Sequence, residues 1–246
     1  MKLGIASIQR NRSKWVVEWL AFHMAVGFEQ FFLYVHKTSD GMTEKLLKLA
    51  RRYAIKVHVL DEQPQPQLLA FQHAASSYCL EVDWLAFLDG DEFLLPAEGL
   101  HIGASLAPFE TRALSALAVY WQCYGSSGHV QDPDGLVLQD YSRHSRHDFQ
   151  PNRHVKSILR GGQTAQVQGA HLFHTLLGTF DELHRPITNG FMRELEPSQQ
   201  HLRLLIRPDS WFFEFDRNEC DDGWSYRFLV PVKLKLQELQ DVIASA

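Results

Sequence analysis

The sequence has few cysteines, no long apolar run and no excess of basic charge. Its three cysteines, Cys79, Cys123 and Cys220, are far apart, and no two have the spacing of a metal or redox motif, so we expect reduced thiols in a cytoplasmic protein. No stretch approaches the roughly 18 apolar residues of a membrane span, and the apolar run at residues 3–8 is too short for a signal peptide. We therefore expect no transmembrane segment, and peripheral association with a membrane stays open. The formal net charge of −5 argues against nucleic acid as a partner.

Glycine-rich phosphate loops are also missing from the place where they would be expected. Residues 9–13, which follow the first apolar segment, read Gln-Arg-Asn-Arg-Ser and contain no glycine. They match neither the phosphate loop of an NTPase nor the dinucleotide fingerprint of an NAD enzyme. The same absence counts against a nucleotidyltransferase, which stays an alternative.

The composition is that of a globular protein, and we expect a single domain over residues 1–246. Of the 246 residues, 45% are hydrophobic and 22% are charged, which is enough to bury a sizeable core. Over residues 1–95, short apolar segments alternate with segments of helical periodicity. The predicted strands lie at 3–8, 28–35, 55–60 and 84–88, and the predicted helices at 15–26, 42–53 and 67–80.

This alternation predicts an α/β fold with a Rossmann-like, mostly parallel central sheet and helices on both faces. Ser13 is the predicted N-cap of the first helix. Ligands bind such sheets outside the carboxyl ends of the strands, so residues 1–95 are the expected nucleotide-binding half. Residues 96–246 are less regular, with strands expected at 113–121 and 155–160. A short amphipathic helix is predicted to follow an alternating segment that starts at residue 231.

The strongest local feature is an apolar run that ends in three acids. Residues 83–94 read Asp-Trp-Leu-Ala-Phe-Leu-Asp-Gly-Asp-Glu-Phe-Leu, so a buried strand would carry Asp89, Asp91 and Glu92 out of its carboxyl end. Asp89 and Asp91 have one glycine between them and can converge on one hard cation. Carboxylates suit Mn²⁺ or Mg²⁺. A capped turn after a core strand is the alternative.

Several segments together resemble glycosyltransferase family 92 and its bacterial relatives in the family 2 group, all of the GT-A fold. They are Asn11, Glu-Trp-Leu-Ala-Phe-His at 18–23, Phe-Leu-Tyr at 32–34, residues 83–94, Trp-Gln-Cys-Tyr-Gly-Ser-Ser-Gly at 121–128 and Lys-Ser-Ile at 156–158. The resemblance implies an enzyme that moves a hexose from a nucleoside diphosphate sugar, typically a UDP-sugar, to a hydroxyl of a glycan or glycoconjugate.

The resemblance also implies a metal site. Asp89 and Asp91 would hold Mn²⁺, or Mg²⁺, on the diphosphate, whose negative charge grows as the sugar leaves. His174 is a candidate for a later metal ligand. His171 lies three residues earlier, and in an extended segment the two side chains would point to opposite faces, so at most one would serve.

The other candidate residues have side chains suited to the substrates. Lys156 and Arg160 can hold a diphosphate, and Trp121 and Tyr124 can pack on sugar faces. By the same resemblance, residues 96–246 are the expected acceptor-binding half. The predicted substrate-binding set is Asn11, Arg12, Asp40, Glu92, Trp121, Tyr124, Gly125, Ser126, Gly128 and Lys156. Glu92 could face the acceptor or brace the acidic loop instead. An inverting transfer needs a carboxylate base near the acceptor hydroxyl, and Asp181 and Glu182 are the candidates for it.

The sequence departs from the family's pattern at three places. Arg12 stands where the family usually has glutamate, and Val35-His36 stands where it usually has Asp-Asn, whose acid would read the base or ribose. Leu205 lies where a histidine is usual. These departures keep a second class of function open, a degenerate GT-A domain that binds glycan or nucleotide without turnover.

Overall fold

The structure is a computed structural model of the chain. It describes residues 1–62, 64–96, 98–112, 114–162, 165–167, 216–221 and 223–246 in full, and the backbone of residues 173–175 and 180–190. Within these residues the strands are β1 (Leu3–Gln9), β2 (Gln30–His36), β3 (Ile55–Leu60), β4 (Trp84–Phe87), β5 (Glu92–Leu94), β6 (Ala116–Tyr124), β7 (Val155–Arg160), β8 (Ala165–Val167), β9 (Phe173–Thr175) and β10 (Phe180–Gly190). The α-helices are α1 (Val16–Ala25), α2 (Met42–Leu49), α3 (Pro66–Tyr78), α4 (Ile102–Leu106), α5 (Val137–Asp140) and α6 (Leu229–Ser245). No helix among the described residues is both long and apolar enough to cross a membrane.

Eight of these strands form one sheet in the order β3-β2-β1-β4-β7-β6-β10-β5. The first four strands pair in parallel. β7 is antiparallel to both β4 and β6, and β10 is parallel to β6, so β6 and β10 run in the same direction as β4. β5 runs the other way. The predicted GT-A-type, mostly parallel α/β sheet is confirmed, and strands from both halves of the chain share it.

Helices cover both faces of the sheet, as predicted. On one face, Ile5 of β1 and Leu33 of β2 pack with residues of α1, α2 and α6. On the other face, the neighbouring residues Ala6 and Phe32 pack with residues of α3. Successive strand residues point to opposite faces, so a strand that is covered on both sides must be apolar throughout. This is why β2 and β4 contain continuous apolar runs, at 31–35 and 84–87, whereas the edge strand β3 carries Lys56 and His58.

The chain order reverses between β1 and β4. β2 and β3 extend the sheet on one side of β1, and β4 lies on its other side. The Leu88 N–H, just past β4, donates to the Ala6 carbonyl of β1 at 3.1 Å. The carboxyl ends of two adjacent strands thus flank a crevice at a topological switch point, the usual place for a ligand in an open α/β sheet.

The predicted N-cap of the first helix is wrong. α1 begins at Val16, after a turn in which the N–H groups of Trp15 and Val16 donate to the Arg12 carbonyl. The Ser13 N–H instead donates to Asp40 Oδ2 at 2.7 Å. Ser13 therefore ties the loop after β1 to the loop after β2.

The carboxyl-terminal prediction is also wrong in part. One helix, α6, occupies the region where an alternating segment before a short helix was expected. Pro231 falls in the first turn of α6, where proline is tolerated. Val232, Leu239 and Val242 are buried at helical spacing, and this periodicity overrides the short alternation in the sequence.

His23 joins α1 to the sheet through a fixed tautomer. Its Nδ1 lies 2.8 Å from the Trp19 carbonyl oxygen, and the Leu94 N–H of β5 donates to its Nε2 at 3.3 Å. A carbonyl can only accept and an amide can only donate, so the ring is neutral with its hydrogen on Nδ1. The ring is fully buried and stacks on Phe93. Burial lowers the pKa of His23 to about 3.

Because the pKa of His23 is lowered on folding, its contribution to stability is present above its unfolded pKa and is lost as the pH falls. Between pH 6.5 and pH 4.5 we expect His23 alone to reduce the free energy of unfolding by about 2 to 3 kcal/mol. The His23→Gln variant, which cannot titrate, should lack this part of the pH dependence in urea denaturation. The exposed His147 provides the control variant His147→Gln, and equal slopes for the two variants would contradict the assignment.

Candidate functional site

The acidic loop lies at the switch point, between β4 and β5. With the tips of β1 and β2 and the start of α3, it encloses an open cleft of about 330 Å³. The cleft is lined by Ile8, Gln9, Arg10, Arg12, His36, Gln67 and residues 89–91. Gly90 lies so close to Gln9 that a β-carbon there would be 2.8 Å from Gln9 Cδ. The loop therefore packs tightly on the end of β1.

Asp91 and Arg12 face each other across the cleft. Arg12 Nη2 donates to Asp91 Oδ2 at 3.2 Å, and the two side chains are 26% and 30% exposed. The Arg12 guanidinium also lies over the Trp15 ring, 5.8 Å from its centre. The structure thus brings together two residues predicted for the site, and it leaves both accessible to a solute in the cleft.

Asp89 is held at both carboxylate oxygens. Gln67 Nε2 donates to Oδ1 and Lys156 Nζ donates to Oδ2, each at 2.6 Å. The Asp89 side chain keeps 31% of its surface exposed. Gln67 was not among the predicted residues, although Pro66 beside it marks the start of a helix at this edge of the sheet.

Lys156 is fully buried in β7 and pairs with two acids. Its Nζ lies 3.1 Å from Glu92 Oε2 in addition to the contact with Asp89, and Glu92 is itself fully buried. Glu92 Oε2 also accepts the Asp89 N–H at 2.8 Å. Lys156 was predicted to hold a diphosphate, and Glu92 either to face the acceptor or to brace the loop. The structure places both under the loop, where they support it.

Burial and neighbouring charges shift both members of this pair. Burial raises the pKa of Glu92 above its ordinary value, with Lys156 opposing the rise and Asp89 and Asp91 adding to it. Burial by itself would lower the pKa of Lys156, but the adjacent Glu92 and Asp89 bring it above its ordinary value. Lys156 is therefore a permanent cation. Among the described residues, Glu92 Oε1 is buried without a hydrogen-bond partner.

Asn11 and Asp40 connect the loops on the far side of the cleft. Asn11 Oδ1 accepts the Ser39 N–H at 3.0 Å, and its backbone is in the left-handed region with φ 50°. Asp40 accepts the N–H groups of Ser13 and Met42, the latter at the start of α2. Both residues were predicted to bind substrate, and the structure gives each a role in shaping the loops.

Glu18 in α1 is also a structural residue. Its carboxylate accepts the N–H groups of Val137 and Leu138, at 3.0 and 3.2 Å, at the start of α5. Burial raises the pKa of Glu18 to about 7, against the effect of these two hydrogen bonds. Glu18 belongs to the family-like segment at residues 18–23, and its role in this structure is to hold α1 against the start of α5.

The loop after β6 forms a second cluster at the same edge of the sheet. Ser126 N and Oγ donate to Asp216, at 2.5 and 3.1 Å, and a β-carbon on Gly125 would collide with the Arg217 carbonyl oxygen. Gly128 has a φ of +86°, which suits glycine, and its N–H donates to Ser126 Oγ. In register with this loop, Gly190 pairs with Tyr124.

The second cluster lies apart from the cleft wall at the acidic loop. Tyr124 is buried against His144, with ring centres 5.2 Å apart. Trp121, in β6, stacks on His154 and lies 5.8 Å from Lys156 Nζ. Trp121 is therefore the predicted sugar-contact residue that lies nearest to the acidic loop. Arg160 lies at the opposite end of β7, where it donates to the carbonyls of Glu110 and Arg112.

The predicted base and the third metal ligand lie outside the fully described residues. The backbone of Asp181 pairs with Leu117, and that of Glu182 with Ala118. Leu117 of β6 pairs with Ile158 of β7, and Ile158 pairs with Ala86 of β4. The Asp181 backbone is therefore three strands away from β4, the strand that leads into the acidic loop. The side chains of Asp181, Glu182 and His174 are not described. His171 and Leu205 also lie outside the described residues, and all these roles stay predictions.

The sheet order and the acidic loop at the switch point define a GT-A-type α/β domain. The chain belongs to glycosyltransferase family 92, whose family model matches residues 3–233. It is 25% identical over 174 residues to a family 92 protein of Oryza sativa subsp. japonica, a match that covers 69% of this chain and 29% of that protein. It is 27% identical over 169 residues to one of Arabidopsis thaliana, covering 65% and 28%. The chain thus spans less than a third of these curated relatives.

Two solved structures show a similar arrangement of the chain. S. aureus TarS 1–349 in complex with UDP-GlcNAc has a TM-score of 0.47 and 14% identity, and the match covers 96% of this chain and 72% of that one. Glucosyl-3-phosphoglycerate synthase from Mycobacterium tuberculosis, in complex with Mn²⁺, uridine diphosphate and phosphoglyceric acid, has a TM-score of 0.44 and 9% identity. That match covers 86% of this chain and 77% of the synthase.

The geometry of Asn11 predicts an order of stability among its variants. Asn11→Gly removes the hydrogen bond to Ser39, which costs about 1 kcal/mol, but glycine accepts a positive φ. Asn11→Ala removes the same bond and adds about 1 kcal/mol for a β-carbon in the left-handed region. We expect the alanine variant to be the less stable by this margin in chemical denaturation. Equal stability of the two variants would show that the loop does not depend on this conformation.

Proposed function

We propose that this chain is a metal-assisted glycosyltransferase domain that binds a nucleoside diphosphate sugar, a UDP-sugar, in the cleft at the acidic loop. It transfers the hexose to a hydroxyl of a glycan or glycoconjugate. The observation that carries the proposal is the position of the Asp89 and Asp91 carboxylates, which face an open cleft at the switch point in a member of family 92. The proposed transfer activity is that of residues 1–246, which span less than a third of the curated relatives.

The donor chemistry of the cleft fits a divalent cation that is shared with a substrate. The described residues contain no group of three or more histidine, cysteine or acidic side chains arranged for a metal. Two partly exposed carboxylates are nevertheless what Mg²⁺ or Mn²⁺ uses when phosphates and water complete its coordination. Asp89 and Asp91 would hold the ion. When bound, it would stabilise the charge that develops on the leaving diphosphate.

The residues of the chain supply the remaining electrostatics of the cleft. Arg10 and Arg12 line it and can pair with phosphate oxygens as the Arg12–Asp91 contact opens. Gln9 and His36 lie at the ends of β1 and β2, where the nucleoside would sit. Gln9 Oε1 and His36 Nε2 are buried without a hydrogen-bond partner among the described residues, so they can bind polar atoms of the base or ribose.

In the acceptor-binding half, residues 96–246, the proposed sites are at β6, at the loop that follows it and in β10. Trp121, whose ring lies 5.8 Å from Lys156 Nζ beneath the acidic loop, is the proposed contact of the transferred sugar, and residues 124–128 lie at the same edge of the sheet. Asp181 or Glu182 is the proposed base for the acceptor hydroxyl. The cytoplasmic location and any peripheral association with a membrane stay predictions from the sequence.

One observation favours a second function, binding without turnover. Both acids of the loop already contact cations of the chain, Asp91 with Arg12 and Asp89 with Lys156. Arg12 stands where the family usually has glutamate. If these ion pairs persist when the donor binds, the domain would recognise a nucleotide or glycan and would not recruit a metal. Metal dependence separates the two functions.

A thermal-shift comparison of UDP, GDP and CMP, each with and without Mn²⁺, tests the donor. Ligand that binds the folded state alone stabilises it by about 2.7 kcal/mol at one hundred times its Kd. We expect UDP with Mn²⁺ to raise the unfolding temperature more than UDP or Mn²⁺ alone. A shift with UDP that is indifferent to Mn²⁺ would favour the binding-only function, and no shift with any nucleotide would contradict the transferase function and leave only glycan binding.

Removing one acid of the loop tests the catalytic role. We expect Asp91→Ala to lower Mn²⁺-dependent hydrolysis or transfer from a UDP-sugar by on the order of 100-fold or more, because charge stabilisation at the diphosphate is lost. The matched control is Asp83→Ala, at the opposite end of β4, where the aspartate side chain is 57% exposed. Full activity of Asp91→Ala would rule out the catalytic role of this acid.

A further inference from the structure

Lys156 is the residue whose environment the proposed function does not yet explain. Lysine side chains are almost never fully buried unless they are paired. Here the ammonium sits beneath the acidic loop, 2.6 Å from Asp89 Oδ2 and 3.1 Å from Glu92 Oε2, with none of the side chain exposed. It does not reach the cleft, so it cannot bind a diphosphate directly.

The position of Lys156 follows from the sheet. β7 enters antiparallel between β4 and β6, with Ile158 opposite Ala86 and Leu117. Two residues earlier on β7, Lys156 lies beside the point where β4 ends and the acidic loop begins. A side chain on a strand therefore supports the loop. Strands hold side chains in more precise positions than loops do.

Lys156 and Glu92 together hold Asp89 by its side chain and its backbone. The lysine donates to Asp89 Oδ2, and Glu92 Oε2 accepts the Asp89 N–H. Glu92 is fixed in turn, since Trp19 Nε1 donates to its backbone carbonyl at 2.8 Å. Gln67 holds the other carboxylate oxygen from the cleft side. The orientation of Asp89 is thus determined by three different elements.

The pair also sets the charge of the site. Asp89, Asp91 and Glu92 would carry three negative charges within four residues, and Lys156 and Arg12 offset two of them. An apolar pair of similar volume would fill the same space at little or no cost in stability. The charged pair therefore does something that packing alone does not require.

We propose that Lys156 is a positioning residue, which fixes the Asp89 carboxylate toward the cleft so that the acidic loop is preorganised for a divalent cation and the donor diphosphate. The inference rests on the proposed function and adds a residue to it. Partners that orient a metal-binding carboxylate typically change metal affinity by 10- to 100-fold when they are removed.

The test uses a double variant, because Lys156→Met alone would leave Glu92 as an unpaired buried acid and would destabilise the fold. In Lys156→Met/Glu92→Met both charges are removed together. We expect this variant to stay folded and to bind Mn²⁺ in the presence of UDP about 10- to 100-fold more weakly than the wild type, measured from the free Mn²⁺ signal in electron paramagnetic resonance. The matched control is Lys56→Met/Glu81→Met, a pair with a 2.8 Å contact on the surface.

A second variant keeps the inference testable if the double variant does not fold. Lys156→Gln/Glu92→Gln also removes both charges together but keeps polar side chains at both positions, and we expect it to bind Mn²⁺ more weakly than the wild type. Wild-type affinity in a folded Lys156 variant would overturn the positioning role. Absence of Mn²⁺ binding by the wild type itself would instead overturn the metal-assisted function, and the inference with it, so the two failures are distinguishable.

Discussion

The ion pair between Lys156 and Glu92 is the interaction on which the acidic loop depends. Both side chains are fully buried, and the pair reaches Asp89 through its carboxylate and through its N–H. Buried charges are costly unless they are paired and hydrogen-bonded. The loop can therefore present carboxylates to the cleft because a cation beneath it, carried by a strand, offsets part of their charge.

The sheet order makes this support possible. An all-parallel sheet would place the amino end of a neighbouring strand at the far edge, away from the acidic loop. Because β7 is antiparallel, its amino end, with Lys156, lies beside the carboxyl end of β4. The switch point between β1 and β4 then opens the cleft on the other side of the same loop. Of the two strands beside β4, β7 supports the acidic loop and β1 forms the cleft with it.

Much of the first half of the fold could be predicted from local patterns, since its strands are apolar runs separated by periodic helices. The predicted bounds there agree with the structure within four residues. The place of Asp89 and Asp91 at the cleft followed from that alternation. The Lys156–Glu92 pair could not be predicted in the same way, because it depends on how β7 enters the sheet. Its one local signal was a lysine inside a segment predicted to be a strand.

The residues that flank positions 191–215 lie at neighbouring points of the structure. Gly190 is in register with Tyr124, and Asp216 binds Ser126, so the segment between them begins and ends beside the carboxyl end of β6. The entropic cost of joining two fixed points grows slowly with the number of residues between them, so a change of length between Gly190 and Asp216 need not shift either anchor. Both anchors therefore belong to the same edge of the sheet as the acidic loop.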